Sequence, residues 1–225
     1  MQGASSDLER FKEVIARRYK DQAIFFLNAF WAECRNDAEK VWQSVEKFQE
    51  LDLERKKEGN DLDEFNAHRF LEFWGETQTV VKMRDMLREL GLNRHKRMSL
   101  IEYLVCKYGQ TVHELLSRPQ GTNEELVRAQ EALEAVQTEI NKIETRKAEL
   151  ERLAQGSGVK AMQAKNELSQ LLTQDNTALN RALLTAEAAV RKAQKAGGEA
   201  QGALWWLERE LEEAKKYKPR GNLRT

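Results

Sequence analysis

The chain has 225 residues, 37 basic and 37 acidic, with a formal net charge of zero. That balance argues against a protein built to coat nucleic acid, which would carry a basic excess. No apolar run approaches the roughly 20 residues of a membrane span, so neither nucleic acid nor membrane is an expected partner. Two prolines, and a mix rich in Glu, Lys, Arg, Ala, Leu and Gln, favour an all-α fold. The cysteines Cys34 and Cys106 form no metal spacing or disulfide framework. The N-terminus lacks the charged and apolar regions of a signal peptide, so a cytoplasmic setting is expected.

In chain order, Asp7 is placed to cap a helix carrying Leu8, Phe11, Val14 and Ile15. A second helix is predicted from near Asp21 through Ile24, Phe30, Trp31, Val41, Trp42 and Val45 to Phe48, its aromatics facing a core. A charged break from Glu54 to Asp61 contains Gly59. Helices follow with Leu62, Phe65, Phe70, Leu71, Phe73 and Trp74, and from about Thr79 to Leu90. A short basic loop from Gly91 to Arg97 leads into a helix with Leu100, Ile101, Tyr103, Leu104 and Val105, and Val112 to Ser117 is a short extra helix. Arg118-Pro119-Gln120-Gly121 punctuates the chain. It divides a helical domain over 1–118 from a second over 119–225.

The second domain reads differently. Thr122 is expected to cap a long helix, with Glu125 as capping-box partner. One seam column holds Leu126, Leu133, Ile140 and Lys147; the other holds Ala129, Val136, Ile143 and Leu150. Only Lys147 breaks this apolar heptad pattern. Gly156-Ser157-Gly158 ends the helix, and the chain is expected to turn back with Val159, Met162, Leu168, Leu171 and Leu172 as a hairpin. After Asp175-Asn176 a helix carries Leu179, Leu183, Leu184, Ala186, Ala189 and Val190, broken by Gly197-Gly198. The last helix holds Leu204, Trp205, Trp206, Leu207 and Leu211 and runs into Lys215-Lys216-Tyr217-Lys218-Pro219-Arg220. At least one tryptophan of the pair is expected to be buried.

Two helix-loop-helix units in the first half invite a metal test. A calcium EF-hand loop supplies oxygens from positions 1, 3, 5, 7, 9 and 12, with Gly at 6. With Glu102 as position 12, Met98 falls at the hydrophobic position 8, and the frame fits. The ligands do not. Gly91, Asn93 and His95 occupy positions 1, 3 and 5, Lys96 replaces the glycine, and Arg94 and Arg97 add positive charge against one carboxylate. In the earlier unit Asn66 falls at position 12 if Leu62 is position 8, so Asp61 or Asp63 reads as a helix cap. No metal and no cofactor is therefore expected, calcium included. No G-x-S-x-G, P-loop, G-x-G-x-x-G or H-E-x-x-H occurs, and His68, His95 and His113 are scattered, so no enzyme is expected.

Five blocks then carry a resemblance: Ala23 to Glu33, Glu58 to Asp63, Ser99 to Leu104, Ala182 to Arg191, and Gly202 to Lys215 with its Trp-Trp pair. Through them the chain resembles the calcium-regulated actin-bundling proteins known from amoebae, over most of its length. The resemblance implies a degenerate EF-hand-like N-terminal half, a long-helix or coiled-coil hairpin C-terminal half, cross-linking of F-actin, and a place in the cytoskeleton. It also implies that the main filament contact lies at about Val127 to Leu172. The sequence departs from the family at Gly91, His95 and Lys96, which puts calcium regulation in question but not filament binding.

Actin's surface is acidic, so basic side chains on exposed helix faces suit it. The candidates are Arg128, Lys142, Arg146, Lys147, Arg152, Lys160 and Lys165. The competing reading makes them a solvated face paired with Glu139, Glu144, Glu149 and Glu151. The alternative function is a scaffold on other cytoskeletal filaments, such as microtubules or the axoneme, without actin binding.

Overall fold

The structure, a computed structural model, describes residues 2–76, 80–90, 96–121, 123–173 and 175–217. It is all-α apart from one small sheet. The chain forms two compact units, Met1–Gly121 with Glu199–Ala203, and Thr122–Gly198 with Leu204–Thr225.

The first unit runs α1 (Gln2–Ile15), α2 (Tyr19–Ala29), α3 (Trp31–Cys34), a 3₁₀ turn (Arg35–Asp37), α4 (Ala38–Leu51), a second 3₁₀ turn (Lys56–Glu58), β1 (Asp61–Asp63), α5 (Glu64–Phe73), α6 (Val80–Glu89), β2 (Arg97–Ser99), α7 (Leu100–Lys107) and α8 (Val112–Ser117). The single helix predicted from Asp21 to Phe48 is in fact broken. Phe30, at φ −121°, ψ 31°, leaves the helical region between α2 and α3, and the 3₁₀ turn precedes α4. The break lets Phe26, Leu27 and Phe30, and then Val41, Val45 and Phe48, all reach the interior. A straight helix with apolar residues on so many sides would leave some in water. Asp7 is no cap either, because α1 begins at Gln2; its carboxylate instead faces His113 Nδ1 at 2.8 Å.

The two strands pair antiparallel with Leu62 opposite Met98, both buried. The two position-8 residues of the loops thus meet as the frame requires. Asp63 caps α5 by accepting from the Asn66 amide, and Ser99 caps α7 in a capping box with Glu102. Behind the strands, the rings of Tyr19, Phe48, Phe70 and Tyr103 form an edge-to-face series with centroids 4.5–5.2 Å apart. Phe73, on the same helix as Phe70, is exposed instead and lies under the Lys47 ammonium at 4.8 Å.

The second unit contains α9 (Glu124–Ala154), α10 (Val159–Thr173), α11 (Thr177–Ala196) and most of α12 (Gln201–Lys215). At 1.5 Å per residue α9 is about 46 Å long. Its cap is Asn123, whose side chain accepts from the Leu126 amide at 2.7 Å, one residue beyond the expected Thr122, which lies outside the described residues. The seam is buried as patterned. Ala129, Leu133, Val136 and Ile140 pack with Leu179, Leu183, Ala186, Val190 and Ala193 of α11 and Leu207, Leu211 and Ala214 of α12. Lys147 remains in solvent. Each large side chain so buried contributes about 1.5–3 kcal/mol. α11 is capped by Asn176 and ends at Gly197, whose φ of +66° suits glycine.

Helix α10 corrects one expectation. It packs along α9, but its inward seam is Ala161, Ala164, Leu168 and Leu171, not Val159, Met162 and Leu172, which are exposed. The first four recur at i, i+3, i+7 and i+10, the spacing of one helix face.

Candidate functional site

Helices α9 and α10 form an antiparallel hairpin joined at Gln155–Gly158. Burying one seam of each helix turns the polar faces outward. All seven predicted basic residues lie on this hairpin and all are exposed. Four are held in local ion pairs. Arg128 pairs with Glu124 and Glu125, Lys142 with Glu139, Lys147 with Glu151, and Arg146 with both Glu149 (2.8 Å) and Glu167 of α10 (2.6 Å). Its two carboxylate partners, Glu149 first, hold Arg146 more firmly charged than a free guanidinium. Exposed pairs of this kind contribute about 0–1 kcal/mol each and exchange readily for an external partner.

Arg152, Lys160 and Lys165 differ. None makes an ion pair with a described residue, and the stretch from Arg152 to Lys165 contains no acidic residue at all. The end of the hairpin therefore carries three exposed cations that have no ion-pair partner among the described residues. Arg152 also sits in the last turn of α9, where the helix dipole favours a cation.

Next to these cations runs a stripe that pattern reading missed. Met162, Lys165, Ser169 and Leu172 lie one residue on from the buried seam and share its spacing, and all four are exposed. The a/d spacing of Ala161, Ala164, Leu168 and Leu171 was the available signal. Residue size misled, because alanines fill a close helix-helix contact while the larger neighbours face outward.

The first loop of the first unit spans Arg55 to Asn66 and the second Gly91 to Glu102. Gly91, Asn93 and His95 lie outside the described residues. Lys96, at position 6, holds φ +69°, so the backbone keeps the bend usually given to glycine there. Glu102 Oε2 accepts from both the Ser99 amide (2.7 Å) and the Ser99 hydroxyl (2.6 Å). In the first loop, counting back from Leu62, positions 1, 3, 5 and 12 are Arg55, Lys57, Gly59 and Asn66. This set offers no carboxylate and two cations, and it does not fit calcium. No group of three or more His, Cys, Asp or Glu side chains placed to hold a metal occurs among the described residues.

Two helix-loop-helix units paired through a short sheet and followed by a long helical hairpin match, as a class, the all-helical filament cross-linkers. Residues 97–220 match the family model described as F actin bundling C terminal. The chain is 31% identical to the calcium-regulated actin-bundling protein of Dictyostelium discoideum, over 93% of this chain and 88% of that protein. It also matches the crystal structure of the 34 kDa F-actin bundling protein from Dictyostelium discoideum, with a TM-score of 0.82 and 32% identity, covering 95% of this chain and 98% of that one. The protein belongs to the F-actin bundling family.

Proposed function

We propose that this protein binds actin filaments and cross-links them into bundles, with its main contact on the hairpin α9–α10 and with no calcium control. It acts as a structural protein of the cytoplasmic cytoskeleton, not as a catalyst. Membership of the bundling family supports the activity. The observation that carries the site is the acid-free stretch from Arg152 to Lys165, with three exposed cations beside the apolar side chains Met162 and Leu172. Exposed cations draw an acidic filament in and set its orientation, and adjoining apolar side chains add contact that salt does not screen. Absence of calcium control is supported by Arg55, Lys57 and Gly59 in the first loop and by the cations Lys96 and Arg97 in the second.

Cosedimentation tests this directly. High-speed pelleting reads binding and low-speed pelleting reads bundling, each with calcium and with chelator. Binding to actin filaments at equal strength in both conditions is the expected result. Pelleting with microtubules but not with actin would overturn the reading in favour of a scaffold on another filament.

A further inference from the structure

The first loop is more than a site that has lost its ligands. Its remaining oxygens are engaged by donors from this chain, and one donor dominates. Arg55 Nη1 reaches Asn60 Oδ1 at 2.7 Å, and Nη2 reaches Asp61 Oδ1 at 3.0 Å and also the Asp61 carbonyl. Its Nε lies 3.1 Å from Asp52 Oδ2. The Asp61 carbonyl is the position-7 oxygen that a calcium loop would present to its ion. Asp52 and Asp61 are both buried, and a buried carboxylate requires a cation or several donors.

Two further groups complete the cluster. The Tyr19 hydroxyl lies within hydrogen-bond distance of both Asp52 Oδ2 (2.8 Å) and the Asp61 carbonyl (2.9 Å), its one proton shared between the two acceptors. Burial first, and then Asp52, push its phenol well above the ordinary value, so it stays a donor. Arg97, from the second loop, places Nη2 2.6 Å and Nε 2.9 Å from Asp61 Oδ1. Asp61 thus ties the two loops together beside the strand pair.

We propose that the Arg55 guanidinium is a built-in cation that gathers the oxygens of the first loop, so that this loop stays closed at any calcium level. A guanidinium suits the task because its planar fork of five N–H donors meets several oxygens at once, where an ammonium meets them as a point charge. Helix capping by Asp63 does not account for the arrangement, since that cap involves only Asn66 and leaves Arg55 unused.

The test is amide hydrogen exchange of residues 59–63 in the full chain, comparing the parent with Arg55→Ala and Arg55→Lys. The parent should exchange slowly and equally in calcium and in chelator. Arg55→Ala should exchange at least about tenfold faster, because local opening is no longer opposed. Millimolar guanidinium ion should slow exchange again in that variant, while sodium at the same ionic strength should not. Arg55→Lys should fall between the two, and it serves if Arg55→Ala does not fold. Parent-like exchange in both variants, or a parent loop that closes only on adding calcium, would overturn the proposal. The readout does not involve filaments, so its failure leaves the bundling reading standing.

Discussion

Gly202 lies against the backbone of Leu27: a Cβ at residue 202 would stand 2.5 Å from the Leu27 carbonyl carbon and 2.6 Å from the Asn28 nitrogen. The next amide, of Ala203, donates to Asn28 Oδ1 at 2.8 Å. The start of α12 is therefore seated on the end of α2. Glycine to alanine inside a helix ordinarily gains about 1 kcal/mol. Here the sign should reverse, because the clash is with main chain and cannot be relieved by a rotamer change. Gly202→Ala is expected to cost about 1–3 kcal/mol and to lower the melting temperature by several degrees. A thermal melt no lower than that of the parent would show that the contact has room to relax.

Charge on the hairpin should govern filament affinity. Replacing Lys142, Arg146, Lys147 and Arg152 together by Glu should weaken pelleting with actin filaments without altering helicity by circular dichroism. Binding by the parent should also weaken as salt rises, since exposed contacts are screened beyond about 8 Å at physiological ionic strength. Lys160→Glu with Lys165→Glu should add to the loss. A quadruple variant that stays folded and pellets like the parent would move the site elsewhere, with Lys215 and Lys216 the next residues to reverse.

The adjacent tryptophans should separate in a stability measurement. Trp206 is 1% exposed and donates Nε1 to Glu210 at 3.2 Å, whereas Trp205 is only half-buried. Trp206→Ala is expected to cost about 3–5 kcal/mol, and Trp205→Ala clearly less. Equal shifts in melting temperature would contradict the difference in burial.

Both thiols should be sluggish. Burial, reinforced by Glu33 and Asp37, pushes Cys34 up to about 11, and burial with Glu102 and Glu89 pushes Cys106 up to about 12. Below those values each remains a neutral thiol, and the thiolate is the reactive form. Alkylation of the native protein at pH 8 should run at least about a hundredfold slower than for an exposed cysteine, and it should accelerate on unfolding. Rapid labelling of either residue in the native state would count against the packing described around it.

The legible parts of the sequence were those where one pattern had one physical solution. Over α9 the alternation of Leu133, Val136 and Ile140 with charge admits one buried face. Met98 and Leu62 could be placed because an EF-hand frame needs an apolar residue at position 8. The illegible parts were those where pattern underdetermined geometry. Between Ile24 and Phe48 there is neither Pro nor Gly, so nothing local announced that Phe30 would leave the helix; tertiary burial broke it. Asn123 and Thr122 are both good caps, and only the observed bond to Leu126 decides between them. Nothing in the composition of the first loop indicated that Arg55 would turn inward, because an arginine beside Glu54 and Lys56 reads as solvated charge. The basic hairpin residues were found through family resemblance, whereas the acid-free stretch that sets three of them apart was visible in the sequence itself.

Helix α10 carries two parallel rows, one residue out of step: Ala161, Ala164, Leu168 and Leu171 inside, and Met162, Lys165, Ser169 and Leu172 outside. A rotation of the helix by one residue would exchange them, and on hydrophobicity alone the ends of the outer row, Met162 and Leu172, would compete well for the interior. The two middle positions forbid it. Bringing Lys165 and Ser169 against α9 would strip a charge and a hydroxyl of water with no partner to receive them. These two residues therefore fix the rotational phase of α10, and with it which side chains the hairpin offers to whatever it meets.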